Sequence, residues 1–226
     1  MLFGISSVAA SASGDYTLAA WMILWGVLLD KLDGTAARLF NATSEFGVQF
    51  DSFADFVVFG MAPAALVFFH AESTAAWAGD ARLMLLAGVG CYVVASAARL
   101  ARFNISTPPG GDKIFYGIPT TVCGAALASL FLTCQIHAPS VLEAMPILLL
   151  VSGAAMVSNV RLPKLKRRKN KAVDFFQMGN IAAVFILAPL RLLPEYLLFV
   201  CVVYMGVGIT WGFLHPPEID ADAQPA

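Results

Sequence analysis

Charge is scarce in this sequence. Asp, Glu, Lys and Arg supply 13% of its 226 residues, where a soluble domain carries about 25%. With 59% apolar residues and a mean hydropathy of +0.76, a soluble globular fold is excluded. Clustered metal-binding side chains of the soft kind are missing too. Cys91, Cys123, Cys134 and Cys201 sit singly inside apolar runs with no CxxC pair, so they read as small buried hydrophobes. His70, His137 and His215 stand far apart at the ends of such runs, as interfacial residues rather than ligands. No basic stretch precedes the first apolar run, so no cleavable signal peptide is expected. No nucleic-acid partner is expected either; the surroundings are a lipid bilayer.

What is present is a succession of apolar runs separated by polar breaks. They fall near 1–13, 16–40, 46–70, 82–104, 117–137, 141–160, 176–193 and 195–214. The expected fold class is all-α, a polytopic membrane helical bundle of about eight transmembrane segments. The first run is shorter than the ~20 residues a crossing needs and is expected to be truncated. Pro63, Pro146 and Pro189 lie inside runs and are expected to kink them. Residues 1–215 form one membrane domain, and the acidic tail 216–226 is expected to be disordered.

Orientation follows from the basic residues. The stretch RLPKLKRRKNK (161–171) holds seven of the chain's fourteen Lys and Arg, and short basic loops stay cytoplasmic. Counting spans from there puts the 41–45 and 105–116 loops on the same side. The helix ends beside those loops are then expected to face the cytoplasm.

Against this apolar background, LLDKLDGTAARLFNATSEFGVQFDSFADF (28–56) concentrates four aspartates. Asp30 and Asp33 are three apart near the end of the second run; Asp51 and Asp55 are four apart near the start of the third. Both spacings place the pair on one helix face. The short NATSE connection makes the helices antiparallel neighbours, so the two faces can meet. Each acid would cost about 2.5–3.5 kcal/mol at the bilayer centre, less near the interface. Shared protons or cations must therefore cancel the charge. An all-oxygen carboxylate set without His or Cys suits Mg²⁺, Mn²⁺ or Ca²⁺. Lys31 neighbours Asp30 in the chain, so its side chain is expected to point elsewhere. Taken alone, such acids also suit a proton relay or a water-exposed loop edge. The surroundings favour more. Gly34 leaves backbone open to a ligand, Arg38 can hold a phosphate bidentately, and Gly47 opens the third helix. Carboxylates, metals, a phosphate-binding arginine and small residues together suit phosphoryl-group chemistry.

The same residues spell Asp-x2-Asp-Gly-x2-Ala-Arg-x8-Gly-x3-Asp-x3-Asp through Asp30, Asp33, Gly34, Ala37, Arg38, Gly47, Asp51 and Asp55. This pattern is that of the CDP-alcohol phosphotransferases, which the chain resembles. Within them it is most similar to the integral-membrane bacterial phosphatidylserine synthases, through DSFADFVVFGMAPA (51–64), AARLARFN (97–104), FYGIPTT (115–121) and MVSNVRLPKLK (156–166). One difference is Pro119-Thr120-Thr121, where those enzymes tend to carry Pro-Ser or Pro-Ala, and it bears on the acceptor pocket. The resemblance implies that Asp30, Asp33 and Asp51 ligate two divalent cations, Mg²⁺ or Mn²⁺, with Asp55 completing the site. It implies Asp55 as general base, and Gly34, Ala37, Arg38 and Gly47 as the CDP-donor site.

The implied reaction joins CDP-diacylglycerol and L-serine to give phosphatidylserine and CMP. Arg99 and Arg102, three apart at a cytoplasmic helix end, are the candidates for the serine carboxylate, with Asn104 and Lys113 as further acceptor-binding candidates. Glycerol 3-phosphate, inositol phosphate or choline are alternative acceptors on the same donor. A divalent-cation or proton transporter is a different class, but it leaves Gly34, Arg38 and Gly47 without a purpose. A homodimer is also implied by the resemblance.

Overall fold

In hydrocarbon every backbone N–H and C=O must be satisfied within the chain, so apolar runs of this length become helices. The computed structural model describes residues 1–39, 44–106, 114–163 and 171–214. The helices are α1 (Leu2–Ala12), α2 (Tyr16–Leu39), α3 (Glu45–Asp55), α4 (Ala62–Glu72), α5 (Ala81–Ser106), α6 (Thr120–His137), α7 (Met145–Val157), α8 (Lys171–Leu187) and α9 (Pro194–Leu214). A π-helical stretch, Phe56–Met61, joins α3 to α4. Every expected run is met by a helix or a continuous pair of them. Glu45–Glu72, Ala81–Ile105, Thr120–His137, Pro139–Val157 and Pro194–Gly212 are long and apolar enough to cross a membrane. This is a polytopic helical membrane protein. The tail 215–226, Lys113 and most of the basic 161–171 run lie outside the described residues.

The core lies where α2, the π stretch, α4, α6 and α7 meet, around Ile23, Phe59, Leu66, Phe131, Leu149 and Met156. α5 packs on α7, α1 on α2, and α6 on α2 and α9. Small residues allow the close approaches that membrane helices use in place of a hydrophobic driving force. A Cβ at Gly153 would stand 3.3 Å from the Tyr92 Cα, and one at Gly124 would stand 3.2 Å from the Phe59 Cα.

The three prolines behave differently from one another. Pro63 sits in the first turn of α4, immediately after the π stretch. Pro146 opens α7 behind a 3-10 turn at Pro139–Ala144 rather than bending it. Pro189 ends a helix instead of kinking it: α8 stops at Leu187, six residues before the expected boundary. A proline disfavours helical backbone in the residue before it, which accounts for the early stop. The chain then turns through Arg191 and Leu193, both at positive φ (55° and 49°).

A short antiparallel strand pair is present without a sequence expectation. Ile114–Tyr116 pairs with Arg161–Pro163, Phe115 opposite Leu162. Gly117 follows at φ 73°, donating its N–H to the Val160 carbonyl at 2.8 Å. A side chain there would run into the Met156 carbonyl, so only glycine fits. This turn delays α6 to Thr120, three residues after the expected start.

Candidate active site

The second half of α2 and the whole of α3 carry the acidic signature. Ser44 caps α3, its Oγ accepting from the Gly47 N–H at 3.0 Å, and Glu45 adds negative charge to the first turn, both favourable at a helix N-terminus. Gly47 thus has a capping amide, and a Cβ there would press on Ser44 Oγ at 3.1 Å. One turn on, Asp51 and Asp55 share a face as their spacing requires.

Across the helix pair, Asp30, Asp51 and Asp55 each bring a carboxylate oxygen to within 4.8 Å of the other two. Asp30 and Asp55 are half-buried and Asp51 is exposed. Asp33 is exposed and outside this trio, although its charge acts on both Asp30 and Asp51. Like charges about 4 Å apart repel by about 4 kcal/mol per pair at an effective dielectric near 20. Shared protons or a counter-charge must offset this repulsion. Lys31 does approach Asp30 rather than pointing away, its Nζ lying 3.8 Å from Asp30 Oδ2. That ammonium is largely exposed, however, and a single exposed cation contributes at most about 1 kcal/mol. Three converging oxygens with no His or Cys among them form a donor set that fits a hard divalent cation.

Gly34 lies beside this group. A Cβ added to it would meet nothing within 4 Å, so the α2 backbone is open there. Ala37 and Arg38 continue the same helix, and their side chains lie outside the described residues.

The expected acceptor residues separate along α5. Arg99 is buried, 8% exposed, its Nη1 3.5 Å from Thr120 Oγ1 and its guanidinium 5.3 Å from the centre of the Phe103 ring. Its charge and that of Asp55 interact, so it belongs to the aspartate neighbourhood. Arg102 instead reaches across to the end of α7 and the residues after it, donating to the Val157 carbonyl at 3.5 Å and to Asn159 Oδ1 at 2.8 Å. Asn104 turns to α3, where it meets Ser52 and Gln49.

Ser52 and Tyr204 have no place in the sequence reading of the site, and Thr120 enters it only within Pro119-Thr120-Thr121. Thr120 is fully buried against Arg99; its only sequence signal was the unusual Pro-Thr-Thr. Ser52 stands between two signature aspartates, yet a serine there reads as an ordinary helix residue. Tyr204, on α9, interacts with Arg99 electrostatically, and nothing in its apolar run marks it.

Comparison with known proteins identifies relatives of the chain. The sequence model of a family described as CDP-alcohol phosphatidyltransferase matches residues 1–158. A CDP-diacylglycerol–serine O-phosphatidyltransferase of Helicobacter pylori is 32% identical over 221 residues, 95% of this chain and 86% of the relative. One from Methanocaldococcus jannaschii is 32% identical over 188 residues, 83% and 81% of the two chains. An archaetidylserine synthase of Methanothermobacter thermautotrophicus is 33% identical over 164 residues, 72% of this chain and 65% of that protein.

Proposed function

Because the chain belongs to the CDP-alcohol phosphatidyltransferase family, we propose that it transfers the phosphatidyl group of CDP-diacylglycerol to the hydroxyl of L-serine, giving phosphatidylserine and CMP. The observation that carries this reading is the meeting of Asp30, Asp51 and Asp55 from two helices in the electrostatic reach of a buried arginine. The names of the relatives supply the donor and acceptor.

Two divalent cations, Mg²⁺ or Mn²⁺, held by the converging Asp30, Asp51 and Asp55, with Asp33, outside that trio, as the further ligand the family pattern implies, would neutralise these carboxylates and polarise the diphosphate of the donor. The remaining work falls to the chain itself. The open backbone at Gly34 admits the CDP moiety close to α2, and Arg38 offers a guanidinium fork to a phosphate. Arg99 takes the serine carboxylate, its orientation supported by Thr120 and Phe103. Asp55 accepts the proton of the serine hydroxyl as that oxygen attacks phosphorus. The new bond joins the serine oxygen to phosphorus; the bond to the CMP oxygen breaks, and CMP leaves with the electron pair. Displacement is direct, since no Ser, Cys or His stands in the signature as a covalent nucleophile. Cytosol-side placement in a bacterial inner membrane and a homodimer complete the reading.

The experiment is a membrane assay with CDP-diacylglycerol and radiolabelled serine, glycerol 3-phosphate or inositol offered in turn. Label in lipid from serine alone is the expected result. Incorporation of another acceptor in its place overturns the assignment.

A further inference from the structure

α3 carries two of the three converging aspartates, yet none of its residues is buried. Close packing therefore does not fix its rotation. Its continuation into the π stretch holds one end, and a side chain of α5 holds its middle. Asn104 Nδ2 donates to Ser52 Oγ at 3.0 Å and to Gln49 Oε1 at 3.4 Å. The Ser52 hydroxyl in turn lies 3.2 Å from Asn104 Oδ1 and 3.1 Å from the Val48 carbonyl. Gln49 and Ser52 are three apart and so share a helix face. Ser52 follows Asp51 directly and precedes Asp55 by three residues.

We propose that Asn104 is a positioning residue for the cation site: by bracketing Gln49 and Ser52, its amide sets the rotation of α3 at which Asp51 and Asp55 meet Asp30. A carboxylate stands several ångströms outside the Cα radius, so turning α3 by about 10° carries its oxygens by roughly 1 Å. A small octahedral cation such as Mg²⁺ demands near-ideal ligand positions and tolerates little such displacement. Asn104 then acts on the aspartates through Ser52 and Gln49 and does not touch the acceptor. The inference rests on the proposed cation site, and metal binding tests it apart from turnover.

Purified full-length protein is titrated with Mn²⁺ alone and followed by the electron paramagnetic resonance of the free ion. Asn104→Ala is expected to weaken Mn²⁺ binding about tenfold, the size found when an outer partner of a metal ligand is lost. The Gln49→Ala/Ser52→Ala double variant removes the same bonds from the α3 side. It is expected to weaken binding to the same degree, and adding Asn104→Ala to it should cost nothing more. At saturating Mn²⁺ the serine KM stays at the wild-type value. Wild-type Mn²⁺ affinity in these variants overturns the role, as does a raised serine KM in Asn104→Ala with Mn²⁺ binding intact, which makes Asn104 an acceptor ligand. A wild-type protein that binds no Mn²⁺ overturns the cation site itself and this role with it. If Asn104→Ala does not fold, the double variant decides the matter.

Discussion

The Tyr92 hydroxyl donates to the Phe59 carbonyl at 2.8 Å, and Phe59 stands four residues before Pro63, which has no N–H to give it. Tyr92 comes from α5 and is fully buried. The donor that a proline withholds is thus supplied by the neighbouring helix. This happens inside the π stretch that begins immediately after Asp55, and π segments inside α-helices are frequent at functional sites. Ser96, one turn further along α5, donates to the Tyr92 carbonyl at 2.8 Å and packs on Gly60.

Removing that hydroxyl tests the arrangement. Tyr92→Phe keeps the ring and leaves the buried carbonyl without the bond, at a cost of about 1–3 kcal/mol. A lower thermal unfolding midpoint in detergent is the expected result. An unchanged midpoint would show that the π stretch holds itself.

Asp55→Asn preserves shape and removes the proton acceptor. Turnover should fall by about 10²–10⁴, the range for loss of a general base, while CDP-diacylglycerol still binds. Equilibrium binding of the donor beside initial rates checks both halves. A near-normal rate removes Asp55 from the base role.

Arg99 and Arg102 should part company in kinetics. Arg99 is buried beside Asp55, whereas Arg102 reaches Asn159. A hydrogen bond to a charged group contributes about 1.5–3 kcal/mol, so Arg99→Ala should raise the serine KM by about tenfold or more with a smaller effect on the lipid KM. Arg102→Ala should change the serine KM less. A larger effect from Arg102 would move the acceptor carboxylate to that side chain.

Gly34→Ala should separate stability from activity. The added methyl meets nothing within 4 Å, and alanine gains about 0.5–1 kcal/mol over glycine inside a helix. The variant is expected to unfold no earlier than the parent. Its kcat/KM for CDP-diacylglycerol should drop, because the methyl occupies the space the donor needs. Parental kcat/KM would show that the donor does not pass over Gly34.

Much of this molecule was legible because its information is local. Hydropathy runs placed the helices, since a segment in lipid satisfies its own backbone whatever its neighbours do. Spacings of three and four put each aspartate pair on one face, and the eight-residue signature gave the family, which the match over residues 1–158 bears out. Boundaries drifted where a proline or glycine acted on its own surroundings: Pro189 closed α8 early, and Gly117 held back α6.

By itself, then, the chain's order of residues determined that it is a membrane-spanning helical protein with an acidic signature on two adjacent helices. Only the tertiary structure decided that Asp30, Asp51 and Asp55 converge while Asp33 stands aside, and that Arg99, Arg102 and Asn104 face three different partners. Periodicity settles which residues share a face of one helix. How far each helix is turned and shifted against the next depends on contacts between residues distant in sequence, such as Asn104 with Ser52 and Tyr92 with Phe59, and no short-range pattern encodes them.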